Sequence, residues 1–155
     1  MINEKNDQKD RELIISRTLN APVDLIWEAW THPEHIAQWW GPNGFSNTIH
    51  TMELKPGGVW DLVMHGPDGT DYKNKSIFTE IIPLRRIAYD HVSGPKFTAI
   101  IDFTAMGDQT LIRWQMIFDT AEELQHTIRT FKADQGLQQN VEKLSAYMAG
   151  LLPGP

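Results

Sequence analysis

The chain has 155 residues, of which 41% are hydrophobic and 22% charged, and this composition suits one globular domain with a sizeable core. A net charge of −6 argues against a phosphate-backbone partner, which would call for a basic face, so we predict no nucleic-acid partner. The absence of cysteine excludes disulfides, a thiolate nucleophile and a cysteine metal site, whereas six tryptophans require a core, a pocket or an interface.

The first twelve residues, MINEKNDQKDRE, are polar and lack the apolar run of a secretory signal. No stretch approaches the ~20 apolar residues that a membrane span needs. We therefore predict a cytoplasmic protein without a membrane partner. Its predicted organisation is a flexible polar tail over residues 1–11 and a single domain over residues 12–152.

The first predicted elements are one strand and one short helix. Residues 13–19, LIISRTL, predict a strand because they are rich in branched side chains. The next stretch, NAPVDLIWEAW, predicts a helix with Pro22 in its first turn and with Trp27 and Trp30 facing inward.

A second short helix is predicted within the stretch HPEHIAQWWGPNGF. Thr31 and Glu34 have the spacing of a capping box, and the Gly-Pro pair at 41–42 ends the helix. His32 and His35 could approach a metal ion together with Glu34, but no second pair of ligands stands at a suitable spacing. We therefore interpret the stretch as a capped helix and predict no metal site.

The adjacent Trp39 and Trp40 lie about 100° apart around this helix. Because both cannot pack equally into one core, we expect one to be buried and the other, taken as Trp40, to line the entrance of a pocket. The alternative is that both simply fill the core.

After these helices the apolar pattern alternates with the period of a strand. Six further strands are predicted, over residues 46–54, 59–65, 72–82, 86–92, 96–106 and 109–118. Their short connections are rich in glycine, proline and aspartate, which predicts antiparallel hairpins joined in a meander.

The chain ends in a helical segment over residues 121–151, with a kink or register shift expected near Gly136 between two apolar stripes. The elements together predict an α+β helix-grip fold. In this fold a curved antiparallel sheet of about seven strands wraps around a long C-terminal helix, with two short helices after the first strand. Such a sheet has a concave face and leaves a cavity beneath the helix.

Three stretches carry a resemblance to a known family: APVDLIWEAWTHPEHIAQWWGPNGF, LKPGGVWDLVMHGPDGTDYKNKSIFTEIIPLRRIAYDH and FTAIIDFTAMGDQTLI. The chain resembles the START-like (SRPBCC) superfamily, which has the helix-grip fold of the major birch pollen allergen. Within it, the sequence is similar to the family named after the C-terminal domain of the activator of the heat-shock protein 90 ATPase. The resemblance implies the same fold over nearly the whole chain.

The chain departs from the family pattern in three places. Leu137 follows Gly136 where the family often has tryptophan, which would widen or reshape the cavity. Lys55 precedes the Gly-Gly turn where the family often has arginine. We also expect no room for the separate N-terminal domain of the eukaryotic activator, which weakens the prediction of a chaperone partner.

Alternation along the strands selects candidate ligand-binding residues on the concave face. The predicted apolar walls are Trp60, Met64, Phe97, Ile101, Trp114, Phe131 and Leu137, with Trp40 near the entrance. Polar direction is predicted from Tyr72, Asn74 and His91, of which His91 could donate, accept or shuttle a proton. The alternative is ordinary close packing with no void.

No catalytic motif is present: the chain has no nucleophile elbow, phosphate-cradling loop, dinucleotide fingerprint or zinc-protease helix. Three hypotheses follow, with no cofactor in any of them and with the catalytic residues unknown. The first is binding of a small hydrophobic or amphipathic molecule in the cavity. The second is a cyclase or dehydratase in which His91 or Tyr72 moves a proton, and the third is a module that regulates a chaperone ATPase. Enzymatic activity and a homodimer stay open.

Overall fold

The computed structural model describes residues 8–151. The seven strands are β1 (Glu12–Leu19), β2 (Ser46–Met52), β3 (Val59–His65), β4 (Asp71–Ile82), β5 (Arg86–His91), β6 (Phe97–Met106) and β7 (Gln109–Ile117). The four helices are α1 (Val23–Thr31), α2 (Pro33–Trp39), α3 (Ala121–Phe131) and α4 (Ala133–Leu151). The predicted strand ends agree with the observed ones to within two residues.

The strands form one antiparallel sheet in the order β1-β7-β6-β5-β4-β3-β2. Successive strands from β2 to β7 are neighbours, as their short turns require, and β1 returns to pair with β7. The sheet curves around α4, whose buried Leu137, Val141, Leu144 and Met148 join the core on the concave face. The predicted helix-grip α+β fold is confirmed.

An aromatic cluster fills the core where α1 and α2 meet the sheet. Trp30 lies edge-on to Trp39, Trp114 and Phe103, with ring centroids 4.8, 4.9 and 5.8 Å away. Trp39 is fully buried and donates its indole N–H to the Ala29 carbonyl. Trp40 is 9% exposed, so the two adjacent tryptophans differ in burial, as expected, but only slightly.

The predicted capping box at the start of α2 is wrong. Thr31 ends α1 instead, where its hydroxyl donates to the Trp27 carbonyl four residues earlier. His32 is the residue before α2, and its side chain makes no capping bond. The spacing of Thr31 and Glu34 misled because a threonine hydroxyl can also bond backward within a helix.

The C-terminal helical segment is interrupted at Lys132, four residues before the predicted kink. Lys132 adopts left-handed backbone angles, φ 54° and ψ 48°, and its N–H donates to the Ile128 carbonyl, which ends α3. Gly136 lies inside α4, and a Cβ on it would stand 3.4 Å from Pro42 Cγ. This is an ordinary contact distance, so the approach to the loop after α2 does not require a glycine, and Gly136 does not interrupt the helix.

Residues 1–7 of the predicted tail, and residue 152 at the end of the predicted domain, lie outside the described residues. Within the described part, Arg11 is attached to the end of β7. Its carbonyl accepts the Phe118 N–H, and its guanidinium donates to the Phe118 carbonyl, both at 2.8 Å. Among residues 8–151, no helix has both the length and the apolar character to cross a membrane.

Candidate functional site: a cavity between sheet and helix

A cavity of about 930 Å³ opens between the concave face of the sheet, the α3–α4 junction and the loop after α2. Its volume lies in the range of small-molecule sites. Its lining comes from strands β3 to β7, from α3 and α4, and from the loop after α2.

Ten of the eleven predicted ligand-binding residues line this cavity. They are Trp40, Trp60, Met64, Tyr72, Asn74, His91, Phe97, Trp114, Phe131 and Leu137. Ile101 is not among the lining residues, because it is fully buried in the core opposite Trp114. Alternation placed Ile101 on the concave face, but it carries no information on depth along the strand.

The apolar wall is mainly aromatic. The ring of Trp40 stacks on that of Trp114, with centroids 5.4 Å apart and planes inclined by 26°. Trp60 approaches Trp40 to 4.9 Å from β3. The indole N–H groups of Trp60 and Trp114 are buried and meet no acceptor among the described residues. Flat rings thus form the wall nearest the core.

His91 organises the polar part of the cavity. Its Nδ1 lies 2.6 Å from the Pro95 carbonyl oxygen, which only accepts, so Nδ1 carries a hydrogen. Its Nε2 lies 2.7 Å from Asn74 Oδ1 and 3.4 Å from the Ser93 hydroxyl, so protein groups already engage this nitrogen. Phe97 stacks on the imidazole with centroids 4.7 Å apart.

The burial of His91 also determines its charge. Burial lowers the pKa of the imidazole, and hydrogen bonds with the Pro95 and Ser93 backbone oppose this shift only in part. The uncharged ring is therefore favoured in the cavity at neutral pH.

Buried hydroxyl-bearing side chains add to the polar lining of the cavity. Ser76 is 4% exposed and Tyr89 is 3% exposed, and both line the cavity. Neither hydroxyl is hydrogen-bonded to another described residue, and neither oxygen is fully enclosed, so both are open to the cavity. Ser76 was missed at the level of sequence, although alternation puts it on the same face as Asn74. The same alternation puts Tyr89 on the face of His91.

The entrance is shaped by the loop after α2, which α4 holds in place. Asn140 accepts the Gly41 N–H at 3.1 Å and donates to the Trp39 carbonyl at 2.9 Å. Gly41 has φ +94°, and a Cβ there would stand 2.8 Å from Met64 Cε, so glycine is required. The amide of Asn140 therefore fixes one wall of the entrance.

Lys143, one turn further along α4, reinforces this attachment. Its ammonium lies 3.1 to 3.4 Å from the carbonyl oxygens of Trp40, Pro42 and Phe45. Partial burial lowers the pKa of this lysine. Lys143 therefore helps to hold the loop by donating hydrogen bonds to its backbone carbonyl groups.

The charged residues that line the cavity lie at its rim. They are Asp71, Lys73 and Lys132, and all three are exposed. Tyr72, the second proton-moving candidate, is 37% exposed. Among residues 8–151, no group of three or more His, Asp or Glu side chains is placed to hold a metal ion.

A curved seven-stranded antiparallel sheet that grips a C-terminal helix, with a cavity between them, defines the START-like helix-grip class. Within this class, the chain belongs to the family described as "Activator of Hsp90 ATPase homolog 1-like protein", whose model matches residues 20–149. The resemblance inferred from the sequence is therefore confirmed. No curated protein matches the chain.

Solved structures with the same fold come from several bacteria. A protein of Nitrosomonas europaea is 22% identical with a TM-score of 0.82, covering 91% of this chain and 96% of its own. A protein of Arthrobacter aurescens is 22% identical with a TM-score of 0.85, covering 92% and 88%. An AHSA1 protein of Silicibacter pomeroyi is 19% identical with a TM-score of 0.69, covering 89% and 97%. At these identities the likeness concerns the fold.

Proposed function

We propose that this protein binds a small hydrophobic or amphipathic molecule in the cavity between the sheet and α4. The observation that carries the proposal is a cavity of about 930 Å³ whose inner wall consists of aromatic and methionine side chains. Sites for small molecules combine such apolar walls with a few polar groups that orient the ligand. Here His91 and Asn74 are the orienting groups.

Leu137 offers a direct way to block the site. It is buried on α4 and faces the cavity, at the position where the family often carries tryptophan. A tryptophan there would place an indole in the space that the ligand needs. Leu151→Trp makes the same change at an exposed position on the same helix, outside the cavity lining.

The test uses the uncharged dye N-phenyl-naphthylamine, whose fluorescence rises in apolar surroundings. We expect saturable binding with one site, accompanied by a change in tryptophan emission because Trp40, Trp60 and Trp114 line the cavity. We expect at least tenfold weaker binding by Leu137→Trp and unchanged binding by Leu151→Trp. Absence of saturable binding, or equal weakening by both variants, would overturn the proposal.

The other two hypotheses remain predictions with their own measurements. A cyclase or dehydratase would require proton transfer by His91 or Tyr72. A chaperone regulator, suggested only by the family name, would change the ATPase rate of its chaperone.

A further inference from the structure

We infer that the cavity takes an uncharged, ring-containing molecule whose hydroxyl or carbonyl group points to the inner end, at Ser76, Tyr89 and His91. This inference rests on the proposed function and specifies the chemical class of its ligand. Three features carry it: unused hydrogen-bonding groups, the distribution of charge and the aromatic walls.

The inner end contains polar side chains with unused hydrogen-bonding capacity. Ser76 and Tyr89 are more than nine-tenths buried, and their hydroxyls have no partner among the described residues. Ser76 lies directly opposite His91 on β5 and opposite Trp60 on β3. Side chains paired in this way on one face stand about 4.5–5.5 Å apart at Cβ. One ligand group can therefore contact both the hydroxyl and the imidazole.

Buried polar groups in folded proteins are nearly always hydrogen-bonded to protein, water or ligand. The Tyr89 hydroxyl can donate to a carbonyl or accept from a hydroxyl, whereas the His91 Nε2 is already engaged by Asn74 Oδ1 at 2.7 Å. The Ser76 hydroxyl can do either. Together these groups match a hydroxyl or carbonyl in either orientation.

The distribution of charge argues against an anionic group at this end. The lysines of the cavity lining are Lys73 and Lys132, both exposed at the rim. At the inner end, burial favours the uncharged form of His91. A carboxylate placed there would lose its hydration without gaining a cation, which is costly.

The body of the ligand is set by the flat walls. Trp40 and Trp114 stack with their planes inclined by 26°, and Phe97 lies parallel to the His91 imidazole within 13°. Ring faces and edges of this kind favour a flat aromatic body through stacked or edge-on contacts. An unbranched acyl chain gains no such directional contact.

Three matched probes separate these features: naphthalene, naphthol and naphthoate, each measured by displacement of N-phenyl-naphthylamine near pH 7. We expect naphthol to displace the dye at about five- to tenfold lower concentration than naphthalene, because one hydrogen bond is added. We expect naphthoate to require at least tenfold more than naphthol, because its charge has no partner at the inner end.

The variants Tyr89→Phe and Ser76→Ala test which groups receive the hydroxyl. In the double variant we expect the advantage of naphthol over naphthalene to fall to within twofold. Tyr147→Phe is the control, because it removes a hydroxyl that bonds His35 between α2 and α4, away from the cavity lining. In that variant we expect the full advantage of naphthol.

The outcomes distinguish this inference from the proposed function. If none of the probes nor the dye binds, the proposed function fails. If naphthalene binds as well as naphthol, or naphthoate binds most tightly, the inference is wrong while the cavity remains a ligand site. If the advantage of naphthol survives in the double variant, the hydroxyl is recognised elsewhere.

Discussion

His91 combines two opposing influences on one imidazole. Its ring packs against Phe97 and is 9% exposed, while each of its nitrogens has a polar neighbour. Burial disfavours the charged ring, and this effect exceeds that of the hydrogen bonds, so the pKa lies below its usual value. The charge on this one side chain therefore links stability to pH.

We expect the protein to lose stability as the pH falls below about 6.5, the value for an unperturbed histidine. Between that value and the lowered pKa of the folded state, the unfolded chain binds the proton and the folded chain does not. The free energy of unfolding then falls by at most ~1.4 kcal/mol per pH unit from this residue. Urea titrations from about pH 7.5 to about pH 5 measure the slope.

His91→Gln is the comparison variant, because it keeps a polar side chain without a titrating ring. Its acid slope should be shallower by the contribution of His91. An identical slope in both proteins would show that His91 does not carry this linkage.

For single residues, the sequence predicts the face of the sheet on which a side chain lies better than it predicts how deeply the side chain is buried. Alternation correctly placed Trp60, Met64 and Trp114 on the concave face. It could not show that Ile101 lies under the core, because depth depends on how far α4 covers the sheet. Ser76 was missed because a serine in a strand resembles an ordinary surface residue until the sheet is assembled.

The junction between α3 and α4 contains a residue, Lys132, whose backbone conformation is unfavourable for any residue other than glycine. Lys132 has φ 54°, and left-handed backbone costs a non-glycine residue roughly 1–2 kcal/mol. We expect Lys132→Gly to raise the free energy of unfolding by about 0.5–1 kcal/mol, after the greater freedom of glycine in the unfolded chain is subtracted. Chemical denaturation measures this change.

Arg129→Gly is the matched control for Lys132→Gly, since Arg129 lies in the last turn of α3 with ordinary helical geometry. There glycine should cost about 1 kcal/mol. A loss of stability in both variants would mean that the left-handed turn stores no strain.

The attachment of the loop after α2 to α4 gives a second prediction. Asn140→Ala leaves the Gly41 N–H and the Trp39 carbonyl without their buried partner. We expect the free energy of unfolding to fall by about 2–4 kcal/mol, because two buried groups, one N–H and one carbonyl, each lose their hydrogen bond. Thermal and urea unfolding both measure it.

Gln139 provides the comparison for Asn140. It accepts a hydrogen bond from the exposed Asn43 N–H of the same loop. Gln139→Ala should change stability by about 0.5 kcal/mol or less, because water replaces the lost partner. Equal losses of unfolding free energy in both variants would contradict the idea that the Asn140 hydrogen bonds matter more because they are buried.

For the secondary-structure elements, the alternation of apolar residues predicted every strand from β2 to β7, and the turn residues predicted where each of these strands ends. The break between α3 and α4 could not be found in this way. A left-handed residue is usually glycine, and the glycine nearby, Gly136, lies within α4 instead. The residue whose backbone adopts the left-handed conformation is Lys132, and a lysine does not indicate such a conformation in a sequence.

For the molecule as a whole, occupation of the cavity should raise the melting temperature. A ligand present at about one hundred times its dissociation constant stabilises the folded state by ~2.7 kcal/mol. For a domain of this size, that corresponds to roughly 5–10 °C. Calorimetry with N-phenyl-naphthylamine measures the shift, and Leu137→Trp should show about half of it or less, because its binding is at least tenfold weaker. No shift in the unsubstituted protein would contradict binding to the folded state.

The overall topology was predictable in part from spacing. Hairpins from β2 to β7 follow from short turns, because a strand with a short connection pairs with its neighbour. The pairing of β1 with β7 spans almost the entire domain. Nothing local in the sequence specifies such a contact, and the pairing was not predicted.

This last pairing has a consequence for synthesis on the ribosome. β1 has β7 as its sole partner in the described sheet, and β7 begins at Gln109, roughly 90 residues after β1 ends. At usual rates of translation, β1 therefore waits roughly 5–20 s for its neighbour. During that interval Leu13, Ile15 and Leu19 have no strand to pack beside. A pause in translation before Gln109 would prolong the exposure of this nascent segment to holding chaperones and proteases.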